Sequence, residues 1–141
     1  MRLLIAAAAV IAAAGFVRAA DWEIPPASLG NTCGESSNVE IYDCTSAAYK
    51  QADAALNEVW KKVLAKIAAA DSGQQDPQQW KSDLVAAEQA WVAFKDKDCN
   101  GARSDEYWGG SGSGRSLAVV SCLYQYTVER TRDLQARYLQ D

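Results

Sequence analysis

Four cysteines behind an apolar leader constrain this chain more than any helix or strand pattern in it. Met1 and Arg2 give a short positive start, and residues 3–17 are almost wholly alanine and branched aliphatics. Val17-Arg18-Ala19 then places small or modest residues where a signal peptidase reads. This is the secretory pattern, so residues 1–19 are expected to be a signal peptide and 20–141 one helical domain. The apolar run of about 15 residues is short of the roughly 20 that span a bilayer, which argues against a retained anchor. The first cysteine is Cys33, too far from the cut for a lipid anchor. A periplasmic or secreted location is therefore expected. In such an oxidising space Cys33, Cys44, Cys99 and Cys122 read as two disulfides. A zinc site fits poorly, because the spacings are wide, no Cys-x-x-Cys occurs and the chain has 0 histidines.

Four cysteines allow three pairings. Cys33–Cys44 with Cys99–Cys122 is favoured because it closes the shortest loops, each worth about 3 kcal/mol on chain-entropy grounds. A mature chain of about 120 residues suits one domain with one modest core. Losing Arg2 and Arg18 with the leader moves the formal charge from −4 to about −6. An acidic surface without basic clusters speaks against nucleic acid and anionic lipid partners and favours a cationic protein partner, and no membrane contact is expected once the leader is removed.

Helical periodicity dominates the rest. Residues 20–38, with Pro25-Pro26, Gly30 and Gly34, read as an extended arm tied down by Cys33, and residues 39–42 as a short apolar lead-in. A first helix is expected over 46–70, starting between Asp43 and Ser46. Ala52, Leu56, Val59, Val63 and Ile67 form its stripe, and Glu58 and Lys62 an outer pair. Asp76-Pro77-Gln78-Gln79 opens a second helix as N-cap, first-turn proline and capping-box glutamine. Its stripe is Trp80, Leu84, Ala87, Trp91 and either Phe94 or Lys95, and it should finish near Cys99 before Asn100-Gly101. Residues 100–115, with Gly109-Gly110-Ser111-Gly112-Ser113-Gly114 after Trp108, read as a long connection. A third helix over 116–139 carries Leu117, Val120, Tyr124, Thr127, Thr131, Leu134 and Tyr138, with Asp133 and Arg137 as a surface pair. No strand-like alternation occurs. The fold class is thus all-α: a small three-helix bundle with an extended N-terminal arm, stapled by two disulfides. The first two helices run antiparallel, and Cys44, Cys99 and Cys122 come to one end, where geometry permits more than one pairing.

Catalytic chemistry is poorly supplied. Without histidine there is no Ser-His-Asp or Cys-His site, and oxidised cysteines offer no thiolate. Asp96, Asp98, Asp105 and Glu106 could in principle pair as carboxylates for glycoside cleavage, but Lys95-Asp96-Lys97-Asp98 reads as a solvated helix end. The glycine-rich run lacks the lysine and spacing of a nucleotide loop. No enzyme activity, cofactor or metal is expected. Tyr107, Trp108, Gly109, Gly110 and Ser111 combine aromatic rings with adaptable backbone and are the candidate partner-binding residues. Asp53, Asn57, Gln89 and Arg130 are polar residues on packed helices, read as a buried hydrogen-bond set that fixes helix register.

The string Ala52-Asp53-x-x-Leu56-Asn57-x-x-Trp60, then Ala87-x-Gln89-x-Trp91-x-x-Phe94-Lys95-Asp96-x-x-Cys99, resembles the LprI-type lysozyme inhibitor family. Gly109-Gly110-Ser111, Cys122 and Thr127-x-x-Arg130-x-x-x-Leu134 extend the resemblance across nearly the whole mature chain. Trp60 and Phe94 stand where members often carry tyrosine, and the glycine–serine run is longer than usual. The resemblance implies a small exported helical protein with paired cysteines that inhibits lysozyme-type muramidases by protein–protein binding. It marks Asp53, Leu56, Asn57, Gln89, Trp91, Asp96, Thr127 and Arg130 as motif residues of structural character. The alternative is a cell-envelope interaction or stress protein without a lysozyme target.

Overall fold

The computed structural model describes residues 33, 37–70, 73, 76–107 and 110–140, the side chain of Tyr107 excepted. The expected signal peptide, most of the arm, Trp108 and Gly109 lie outside the described residues.

Helix α1, Asn38–Ala68, begins well before the expected start. Ser37 and Glu40 form a capping box that the proline- and glycine-rich context upstream hides. The Ser37 hydroxyl accepts from the Glu40 amide at 3.4 Å, and Glu40 accepts from the Ser37 amide at 3.0 Å. Two orphan donors of the first turn are thereby satisfied. These bonds to Ser37 also hold the Glu40 carboxyl below its ordinary 4.5. The apolar residues 39–42 are therefore helix rather than lead-in, and Cys44 lies inside α1. Further along, Glu58 pairs with Lys61 at 2.7 Å rather than with Lys62.

Helix α2, Pro77–Lys97, starts where expected. Asp76 accepts from the Gln78 amide at 2.9 Å. Gln79 does not close a capping box; its amide donates to Asp83 at 2.8 Å, one turn on. Asn100-Gly101 does not break the helix. Residues Asp98–Ala102 widen into a π-helical turn, and α3, Arg103–Tyr107, continues from it. Polar side chains sustain this turn. Asn100 donates to the Asp96 carbonyl at 2.8 Å, and the Ser104 hydroxyl to the Gly101 carbonyl at 3.0 Å. Of the long connection expected over 100–115, residues 100–107 and 113–115 are therefore helical. Gly112 has φ +96°, a backbone setting that favours glycine, and α4, Ser113–Tyr138, starts directly after it, ahead of the expected Ser116.

The helices form an all-α bundle. Pairing along α2 and α4 shows their direction: Trp80 meets Tyr138, Glu88 meets Arg130 and Phe94 meets Tyr126. As α2 advances its partners on α4 recede, so the two are antiparallel, and α1 packs along α4 in the same direction. One core joins Leu56, Val59, Val63 and Ile67 of α1 to Leu84 of α2 and Leu134 of α4, with Trp60, Trp80, Trp91 and Tyr138 packed around it. Ala87 is exposed and is not part of the buried stripe. Of Phe94 and Lys95, Lys95 turns inward at 5% exposure and Phe94 stays 53% exposed.

Candidate functional site

The apolar core fills one end of the bundle. The other end is made differently. It gathers the start of α1, the end of α2, the π-helical turn, α3 and the start of α4, and it holds both disulfides. Cys33 pairs with Cys44, and Cys99 with Cys122, each with Cα atoms 5.6 Å apart. Cys99 and Cys122 are buried, pinning the π-helical turn to α4, whereas Cys33 and its partner Cys44 in α1 are partly exposed.

Cations packed on rings and carboxylates replace aliphatic packing here. The Tyr126 hydroxyl donates to Asp98 at 2.8 Å, Arg103 approaches the same carboxylate at 3.5 Å, and the Arg103 guanidinium lies 5.0 Å from the Tyr126 ring centroid. Burial, then the bond to Asp98, pushes the Tyr126 phenol above its ordinary 10.0. Phe94 meets the same ring edge-on at 5.8 Å. The Lys95 ammonium sits 5.3 Å from the Trp91 ring and 5.7 Å from Tyr49, with Asp96 at 3.8 Å. Arg115 bridges from α4 to Asp105 of α3 and, at 3.1 Å, to the Asn100 carbonyl.

The motif residues divide between these regions. Arg130 donates to Glu88 at 2.6 and 2.8 Å and to Asp133 at 2.8 Å, against the face of Trp91. This closes the seam between α2 and α4. Asp53 and Asn57 do not reach across helices: the exposed Asn57 amide donates to the Asp53 carbonyl and carboxylate, one turn back on α1. Gln89 and Asp96 face solvent. The buried Thr127 hydroxyl donates to the Leu123 carbonyl of its own helix, and Leu56 is core. The expected inter-helix polar set is therefore Arg130 with Glu88 and Asp133, not Arg130 with Asp53, Asn57 and Gln89. Glu88 was missed although its signal was present. A step of four from Leu84 lands on it, but its charge diverted the stripe to Ala87.

Of the candidate partner-binding residues, Gly110 and Ser111 are exposed between α3 and α4. Trp108, Gly109 and the Tyr107 ring lie outside the described residues. The end that carries Gly110 and Ser111 also has exposed apolar surface. Among the described residues the exposed large hydrophobics are Val39, Tyr42, Val92 and Phe94. All four sit in the first turns of α1 or the last turns of α2. Beside Tyr42 a groove of about 720 Å³ opens between α1 and α4, walled by Ala47, Val119 and Leu123 and rimmed by Asp43, Lys50 and Arg115. Among the described residues no helix is long and apolar enough to cross a membrane.

Comparison with known proteins gives a family and no experimental template. The family described as "Lysozyme inhibitor LprI" matches residues 31–134. An uncharacterized protein of Rhizobium meliloti (strain 1021) is 28% identical over 103 residues, covering 70% of this chain and 72% of that one. No solved structure matches.

Proposed function

The chain belongs to the lysozyme inhibitor LprI family, and on that premise we propose that it inhibits lysozyme-type muramidases by binding them through the disulfide-clamped end of its bundle. In this reading residues 1–19 are removed on export and residues 20–141 act in the periplasm or outside the cell, as a binding protein rather than a catalyst.

One observation carries the choice of surface: the exposed large hydrophobics of the described residues collect at this end. Scattered apolar residues on a surface need no explanation, but a local concentration of them favours an interface. The disulfides and the Arg115 bridge hold that surface in one shape before binding, which lowers the ordering cost of association. Gly110 and Ser111 are exposed at the same end, and with their sequence neighbours Tyr107, Trp108 and Gly109 they make up the rest of the proposed contact. The overall negative charge would speed encounter with a basic enzyme.

The test is inhibition by the purified mature chain across chicken-type, goose-type and invertebrate-type lysozymes. The expected result is inhibition of at least one type with a dissociation constant of about 1 μM or tighter. Full activity of all three at about 100 μM chain would overturn the reading.

A further inference from the structure

The lining of the groove between α1 and α4 carries two basic residues, Lys50 and Arg115, against one acid, Asp43, on a protein whose overall balance is acidic. Lys50 stands on its rim with no ion-pair partner among the described residues, and Arg115 stands on the opposite helix. The ring of Tyr49, which lines the groove, has the ammonium of the buried Lys95 5.7 Å from its centroid. Against these, Asp43 is the acid on the rim. Asp105 is bound to Arg115, and the largely exposed Asp96 lies 3.8 Å from Lys95. The chain as a whole carries a formal charge of −4.

A second, independent feature lies in the same wall. The Ser46 hydroxyl is buried and has no hydrogen-bond partner, a rare condition for a folded protein. Because nothing holds the hydroxyl, turning it toward the groove breaks no bond. Ser46 and Lys50 are four apart on α1, which puts their Cβ atoms about 5–6 Å apart on one face. The two oxygens of one carboxylate can bridge such a pair.

We infer that this groove receives a carboxylate side chain, aspartate or glutamate, displayed on a convex segment of the protein that the chain inhibits. Lys50 donates to one oxygen and Ser46 to the other, both as charge-assisted bonds. Val119, Leu123 and Tyr42 pack on the methylenes and on the neighbouring residue. The volume lies within the roughly 300–1,000 Å³ of ordinary ligand pockets, larger than one side chain needs, so flanking residues enter with it. Asp43, two turns before Lys50, repels a second acid and fixes the orientation. The identity of the partner rests on the inhibitor reading; the carboxylate chemistry rests on the groove alone.

Two measurements separate these claims. In the first, the isotope-labelled mature chain is titrated with the blocked peptide acetyl-Leu-Glu-Leu-amide and with its glutamine counterpart, followed by two-dimensional NMR. Shifts are expected at Ser46, Lys50 and Val119 with the glutamate peptide, and are expected to vanish with the glutamine peptide and in Lys50→Glu. Equal shifts with both peptides, or shifts confined to other regions, overturn the site. In the second, Lys50→Glu and Val119→Trp are assayed against whichever lysozyme the wild type inhibits, with helical circular dichroism as the folding control. A loss of about tenfold or more in inhibition is expected from each, the scale of an interface hot spot. Folded variants that inhibit like the wild type overturn the groove while leaving the inhibitor reading intact. Glutamate-specific shifts in a chain that inhibits no lysozyme keep the carboxylate site and remove muramidases as its owner.

Discussion

The two ends of this bundle are stabilised by different chemistry. At one end Val63, Ile67 and Leu134 are almost fully buried and tryptophans close over them. At the other, disulfides, a tyrosine–carboxylate bond and cations on aromatic rings hold α1, α2, α3 and α4 together. An aliphatic core supplies stability by removing apolar surface from water, and it leaves little apolar surface to offer a partner. Cross-links fix shape without consuming that surface, so Val39, Tyr42 and Phe94 remain outside. Under the proposed function, the first end supplies stability and the second recognition.

Substitutions can break that division, beginning with the largest effect. Leu134→Ala, at 0% exposure, should destabilise by about 4 kcal/mol in urea unfolding and leave inhibition unchanged wherever the variant stays folded. Loss of inhibition without loss of folding would place recognition at the apolar end. Arg130→Ala strips Glu88 and Asp133 of their partner in a poorly hydrated seam and should cost about 3 kcal/mol, again without altering inhibition by the folded chain. The paired change Cys33→Ser with Cys44→Ser closes off the comparison from the other side. It should cost about 2–3 kcal/mol and weaken inhibition as well, since the first turns of α1 lose their tether.

The smaller effects follow pH. Tyr126→Phe should cost about 1 kcal/mol and delete a phenol ionisation seen in ultraviolet titration above the ordinary 10.0. A raised folded value favours the neutral phenol. Its contribution is present below the unfolded value and is lost as pH rises through the folded one. Glu40 behaves oppositely, because its folded value is lowered by bonding to Ser37. Its contribution is present above 4.5 and fades as pH falls through the folded value. Amide exchange should show the first turn of α1 fraying in acid, and Glu40→Gln should remove that acid dependence.

Much of the architecture was legible because helical periodicity reports burial directly. The stripe Leu56, Val59, Val63 and Ile67, the Asp76-Pro77 start of α2 and the favoured cysteine pairing all stand in the structure. What escaped has a common cause. Local signals point to a stop where long-range contacts continue the chain. Asn100-Gly101 looks like a breaker, yet Cys99 is bonded to Cys122 and the Asn100 carbonyl is held by Arg115. Residues 39–42 look like lead-in because the turn-forming residues upstream outweigh Ser37 and Glu40 by eye. The groove was illegible for a different reason: it needs α1 and α4 side by side, and no single segment carries its pattern.

The division between the ends is tested most directly by amide hydrogen exchange of the mature chain with and without an excess of lysozyme. New protection is predicted over residues 42–50 and 98–123, with residues 59–67 and 134–138 unchanged because they are already slow in the free chain. Protection confined to the apolar end, or none anywhere at saturating enzyme, would contradict the account.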